Sequence, residues 1–254
     1  MKFLVLKKHT LKIALAVLCL CAILALPFGE NSAASVFFGD NLRKVPIYSV
    51  ETGEKKVAIT FDAAWGADKT EGIIEILKEH HANATFFLVG FWVEDYPEEA
   101  KKIAENGFEI GTHSNTHPDM TKISQEQKKL ELSSSIETIQ KTTSVTPTLF
   151  RAPFGSYNND LINVAEELNL ISIQWDVDSL DWKGLSANEI HSRVMSKVKN
   201  GSIILCHNNS KNILSALPLL LSSLQMKGYT VCSVGELIYH NSFVIDRAGV
   251  QKKI

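Results

Sequence analysis

The strongest constraint on this chain is a repeated switch of hydrophobic period. From residue 55 onward, short continuous apolar runs alternate with longer amphipathic stretches. The runs at 56–61 (KVAITF), 84–89 (ATFFLV), 108–111 (FEIG), 148–150 (TLF), 170–177 (LISIQWDV), 202–206 (SIILC) and 229–234 (YTVCSV) predict strands. Helical spacing predicts helices over 68–80, 97–106, 124–141, 158–168, 187–199 and 211–227. Such alternation implies a parallel sheet, and strands that are apolar throughout imply cover on both faces. Seven such units fall short of the eight in a regular barrel. The expectation is an α/β fold, a distorted and incomplete (β/α) barrel with parallel strands. Residues 35–54 read as a linker or edge segment, 55–240 as one domain, and 241–254, which lack periodicity, as a tail.

The first 34 residues follow another logic. Lys2, Lys7, Lys8 and Lys12 precede the apolar run IALAVLCLCAILALPF, and small polar residues follow it. That order is an export signal, with Ser32 and Ala34 at the spacing for cleavage after Ala34. The run also approaches the length of an uncleaved membrane anchor. Both readings place the remainder outside the cytoplasm, secreted or held on the outer face of the membrane. A net charge of −2 gives no footprint for nucleic acid. Only Cys206 and Cys232 follow the apolar run, enough for one disulfide and no framework.

Chemistry-bearing residues stand at strand ends. Asp62 follows one strand, His113 and His117 another, Arg151 a third, Asp176, Asp178 and Asp181 a fourth, and His207 a fifth. In a parallel barrel those ends open on one face, where active sites are built. Each residue also has a plainer role. A histidine in a loop is usually solvated, Asp62 could cap or turn, Arg151 could pair with any carboxylate, and Asp178 and Asp181 could shape a turn beside a core Trp182. The His-x-x-x-His spacing raises the case for metal, because one helical turn would bring both imidazoles to one cation. Cys206 and His207 are strand neighbours, so they point to opposite faces and do not read as a nucleophile–base pair.

The motifs TFDAAWG (60–66), HSNTH (113–117), RAPFG (151–155), DSLDW (178–182) and ILCH (204–207) occur in an order that resembles the polysaccharide deacetylases. These are the NodB-homology proteins of carbohydrate esterase family 4. The likeness spans about residues 55–240, and the wording of TFDAAWG is similar to a sporulation-associated, PdaB-like branch. The resemblance implies a divalent metal, zinc or cobalt, and removal of N-acetyl groups from an amino-sugar polymer of the cell envelope, peptidoglycan or chitin-like, by a monomer. It makes His113 and His117 metal ligands, Asp62 the general base, Arg151 its orienting partner, and Asp181 the holder of the acid His207. Trp182 and Leu205 would shape the acetyl pocket, and the Phe154 N–H would hold the oxyanion. In that scheme the metal polarises the carbonyl and lowers the pKa of bound water to about 7.

One position departs from the family pattern. The carboxylate that follows the base, a third metal ligand, is replaced by Ala63. Asp68 is the nearest spare carboxylate, although DKTE (68–71) also has the form of a capping box. Three readings follow: an N-deacetylase, a catalytically impaired glycan-binding relative, and an O-acetyl esterase.

Overall fold

The computed structural model describes residues 43–254. The export or anchor segment inferred above lies outside the described residues. Among the described residues no helix is long and apolar enough to cross a membrane.

The chain opens with β1 (Ser49–Val50) and enters the sheet at β2 (Lys56–Ala63). Parallel strands β3 (Thr85–Leu88), β4 (Glu109–Thr112), β5 (Leu149–Phe150), β6 (Ile171–Ser172), β7 (Val177–Asp178), β8 (Ile203–His207) and β9 (Thr230–Cys232) follow. Helices α1 (Thr70–Glu79), α2 (Gly90–Asp95), α3 (Pro97–Glu105), α4 (Gln125–Thr143), α5 (Asn159–Glu167), α6 (Ala187–Met195), α7 (Ile213–Met226) and α8 (Val234–Leu237) intervene. The strand order is β6-β5-β4-β3-β2-β8-β7, with β9 against the start of β2. The result is an open, curled parallel sheet flanked by helices, a distorted (β/α) barrel.

Period two along β2 sorts its side chains into two layers. Val57, Ile59, Phe61 and Ala63 join the apolar layer that packs against the helices, with Phe61 stacked on Phe86 at 5.1 Å. Ala58 belongs to a second cluster with Phe87, Leu149, Ile173 and Ile203 inside the curl. Thr60 and Asp62 share the inward parity of Ala58, so the one charged residue of the strand's upper half falls inside the curl.

The stretch expected as a single strand over 170–177 is two short ones. Its middle leaves the ladder because Gln174 N–H donates to Ile47 O at 2.7 Å, and Asp176 accepts from Ser202 Oγ and Ile203 N–H. Ile47 N–H also donates to Ser172 O, and Val50 N–H to Gly201 O. Residues 47–50 thus tie the β6 edge to the segment that leads into β8. The stretch from Asn241 holds β10 (Phe243–Ile245) and β11 (Val250–Lys253), an antiparallel pair whose second strand lies along β1.

Candidate active site

The site grows from the ends of β2, β4, β5 and β8. Asp62 and His207 are register partners across β2 and β8, so base and acid candidates stand side by side. Phe87 is the partner of Asp62 on the other flank, and Gly111 the partner of Phe87. A Cβ on Gly111 would come within 2.6 Å of the Phe87 ring. Glycine there lets that ring lie flat under Arg151, whose guanidinium carbon is 4.1 Å from its centroid.

Arg151 is fully buried. It donates to Asp62 Oδ1 at 2.7 Å, Thr60 Oγ1 at 2.8 Å and Gln174 O at 3.1 Å. Burial works against the Asp62 charge, but the Arg151 charge and hydrogen bond, with the His207 charge, outweigh it and hold the carboxyl below its ordinary range. Asp62 is therefore ionised at neutral pH, with Oδ2 turned to His113 Nε2 at 3.5 Å.

His207 is shifted towards its cationic form. Its Nδ1 donates to Asp181 Oδ1 at 2.8 Å, and its backbone N–H donates to Asp181 Oδ2 at 2.8 Å. Burial lowers the imidazole pKa, yet the hydrogen bond to and charge of Asp181 prevail and the net shift is upward. With Nδ1–H committed to Asp181, Nε2 is the atom left to give a proton.

The two remaining imidazoles are neutral. His113 Nδ1 lies 2.7 Å from Arg151 O; a carbonyl only accepts, so Nδ1 carries the hydrogen and Nε2 keeps its lone pair. Burial pushes the His113 pKa down and takes that of His117 to about 4. Their rings stand 4.9 Å apart, and His117 is edged by Trp65 at 5.0 Å and Phe154 at 4.7 Å.

The pair is not presented by a helical turn. Ser114 and His117 adopt φ of 70° and 58°, left-handed values that break any helix. Glu131 on α4 holds this loop: it accepts from Asn115 N–H at 2.9 Å, Thr116 N–H at 2.8 Å and Thr116 Oγ1 at 2.5 Å. The first two amides of α2, Gly90 and Phe91, donate to Ser114 O and Asn115 O.

A cleft of about 640 Å³ joins these groups. Asp62, His113, His117, His207, Phe154, Leu205 and Trp182 all line it, and Arg151 and Asp181 stand behind their partners. Asp178 lines it too, with Oδ1 accepting from Leu180 N–H. Trp182, weighed as a core residue, is 59% exposed on the rim, with Phe154 at 69% and Trp65 at 56%. Sequence reasoning did not single out Trp65, Trp175, Lys211 or Glu131. Trp65 and Trp175 follow motif residues and were legible by position; Glu131 looks in sequence like one more charge on a solvated helix.

Three expectations need correction. Asp176 serves the start of β8 rather than the cleft, through the bonds to Ser202 and Ile203. Asp68 is 71% exposed, pairs with Lys69 at 2.7 Å, does not line the cleft, and makes no capping bond, since α1 begins beyond it with Lys69 as N-cap. Cys206 and Cys232 are both buried as free thiols, and burial pushes the Cys206 pKa well up, away from nucleophilic use.

The donor set does not fit a resident metal. His113 and His117 supply two neutral imidazoles, but Ala63 is buried in the helix-facing apolar layer. Among the described residues no cluster of three or more His, Cys, Asp or Glu could hold a metal ion. Structural and catalytic zinc sites ordinarily use three or four protein ligands.

The polysaccharide deacetylase family matches residues 49–172. The chain is 37% identical over 199 residues to the uncharacterized protein YlxY of Bacillus subtilis, covering 78% of this chain and 62% of that protein. It is 34% identical over 194 residues to the peptidoglycan-N-acetylglucosamine deacetylase PgdA of Listeria monocytogenes, covering 76% of this chain and 41% of that protein. It thus spans only about three fifths and two fifths of these two relatives. Among solved structures, BA3943 from Bacillus anthracis, described as a CE4 family pseudoenzyme, matches with a TM-score of 0.74 and 32% identity over 84% of this chain and 72% of that one. A BA3943 mutant described as having restored enzymatic activity matches with the same TM-score at 33% identity, over 84% of this chain and 74% of that one. Fold, motif order and these likenesses agree: the chain belongs to the polysaccharide deacetylase family, carbohydrate esterase family 4.

Proposed function

We propose that this protein is a glycan-binding member of the family with impaired catalysis, built for an acetylated amino-sugar polymer outside the cytoplasm. The observation that carries the reading is that His113 and His117 gain no third ligand among the described residues, while position 63, where the family pattern has a carboxylate, is a buried alanine. The likeness to a pseudoenzyme supports it. The aromatic rim of Trp65, Phe154 and Trp182 offers flat apolar faces on which sugar rings stack.

A second reading, an active N-deacetylase, is favoured by the intact Asp62–Arg151 and Asp181–His207 pairs. In amide hydrolysis Asp62 would take a proton from water as its oxygen bonds to the carbonyl carbon. His207 Nε2 would protonate the nitrogen as the C–N bond breaks. These residues supply the proton transfers and not the polarisation of the carbonyl. Of the finer sequence expectations, a sporulation-associated branch and O-acetyl ester substrates rest on motif wording and family chemistry alone.

The test is glycan binding and acetate release measured side by side on wall fragments and N-acetylglucosamine oligomers, with and without zinc or cobalt. Wild-type protein is expected to bind and to release no acetate under any metal condition. A carboxylate is then returned in Ala63→Asp, following the family motif, and in Ala64→Asp, because Ala64 lines the cleft. At least one variant is expected to gain a zinc-dependent rise in melting temperature. Zinc at 100 times its Kd would stabilise that variant by about 2.7 kcal/mol. Metal-dependent acetate release by the wild type would replace this reading with the second.

A further inference from the structure

We infer that Gln174 is a positioning residue for the cleft: its side-chain amide holds the Phe154–Gly155 turn, and so sets where the aromatic rim meets a ligand. The inference rests on the glycan-binding reading above and names a residue through which that binding is tuned.

The turn has an uncommon backbone. Phe154 and Gly155 are both left-handed, with φ of 60° and 68°. Glycine adopts that conformation freely, whereas a bulky aromatic residue is strained there and persists only where its surroundings hold it. Phe154 is mostly exposed, so burial of its ring does not offset the strain. What the conformation achieves is placement. It sets the ring on the cleft lining, 4.7 Å from that of His117, whose own ring stands 4.9 Å from that of His113.

Three bonds converge on Gln174, which is buried. Its Nε2 donates to Gly155 O at 3.2 Å. Its carbonyl accepts from Arg151 Nη2 at 3.1 Å, and its N–H donates to Ile47 O at 2.7 Å. Trp175 closes the other side of the turn, since a Cβ on Gly155 would come within 2.9 Å of its Cη2. One residue thus joins the Asp62–Arg151 pair, through its backbone, to the Phe154 rim, through its side chain. The two arms are separable, because a substitution removes the amide and leaves both backbone bonds in place. Support of this kind, from a buried residue behind an exposed contact, is what fixes a recognition surface to a fraction of an ångström.

The experiment is a double-mutant cycle on the full chain, with an N-acetylglucosamine tetramer as the probe and calorimetry as the readout. Its members are the wild type, Gln174→Met, Phe154→Ala and the double variant. Gln174→Met is expected to weaken binding about fivefold, the worth of one hydrogen bond, and to weaken it no further once Phe154 is alanine. A merely structural glutamine would cost the same in both backgrounds. Proton NMR of the Gln174→Met variant should show shifted His117 ring signals and unchanged His207 signals. Gln174→Asn keeps a polar amide but falls one methylene short of Gly155, and it should repeat both results if the methionine variant does not fold. Wild-type affinity in the single variant, or equal losses in the two backgrounds, overturns the inference alone. Failure of the wild type to bind overturns the glycan-binding reading, and the His117 signals then decide the positioning role by themselves: unmoved signals overturn it.

Discussion

The two walls of the cleft are finished to different degrees. On one, every charge has a partner at hydrogen-bond distance: Asp62 with Arg151, His207 with Asp181. On the other, His113 and His117 are neutral, His117 is edged by Trp65 and Phe154, and the pair gains no third ligand from the buried alanine at position 63. The contrast teaches that proton-transfer geometry and metal-binding geometry are separable. A buried charge pair is anchored by its own energetics, because removing one member strands the other. A metal ligand is a neutral or surface group when no metal is bound, so its loss leaves the fold intact.

That comparison breaks most visibly at Arg151. Arg151→Met strands the buried Asp62 carboxylate and is expected to cost about 3–5 kcal/mol in denaturant unfolding. A much smaller loss would mean that Asp62 is not held as an ion in the native cleft.

Asp181→Asn sharpens the comparison on the acid side, at about 1.5–3 kcal/mol below neutral pH. The His207 pKa is raised in the folded state, so the stability it contributes is fully present below the unfolded value of about 6.5. That contribution fades as pH rises through the folded pKa. In the variant, burial is opposed only by the Asp62 and Asp178 charges, and the imidazole pKa should fall. Proton NMR of His207 and unfolding at two pH values check both statements.

The smallest effect belongs to the other wall. Glu131→Ala removes three hydrogen bonds from the loop ahead of His117 and should cost about 1 kcal/mol, since freed amides at a partly exposed site regain water. Broadened His117 ring signals with unchanged His207 signals would place the disturbance on the loop alone.

Much of the architecture was legible because its strands are uninterrupted apolar runs bounded by amphipathic helices. Asp62, His113, His117, Arg151, Asp181 and His207 were legible for a related reason: each follows such a run, and parallel strands end on one face. What sequence hid depends on distant partners. The run at 170–177 looks like one strand, and only the bond from Gln174 to Ile47 shows why it divides. The spacing of His113 and His117 suits a helical turn, but Glu131 and the α2 amides favour a loop with two left-handed residues.

The short bridge of residues 47–50 has a consequence for how this domain keeps to itself. It occupies backbone groups of the segments that begin at β6 and precede β8, through Ser172, Gln174 and Gly201. Trimming those few residues would uncover unpaired strand rims, which are templates for adding a strand from a neighbouring molecule. Such a shortened chain would be prone to aggregate, although every residue of the cleft would still be present.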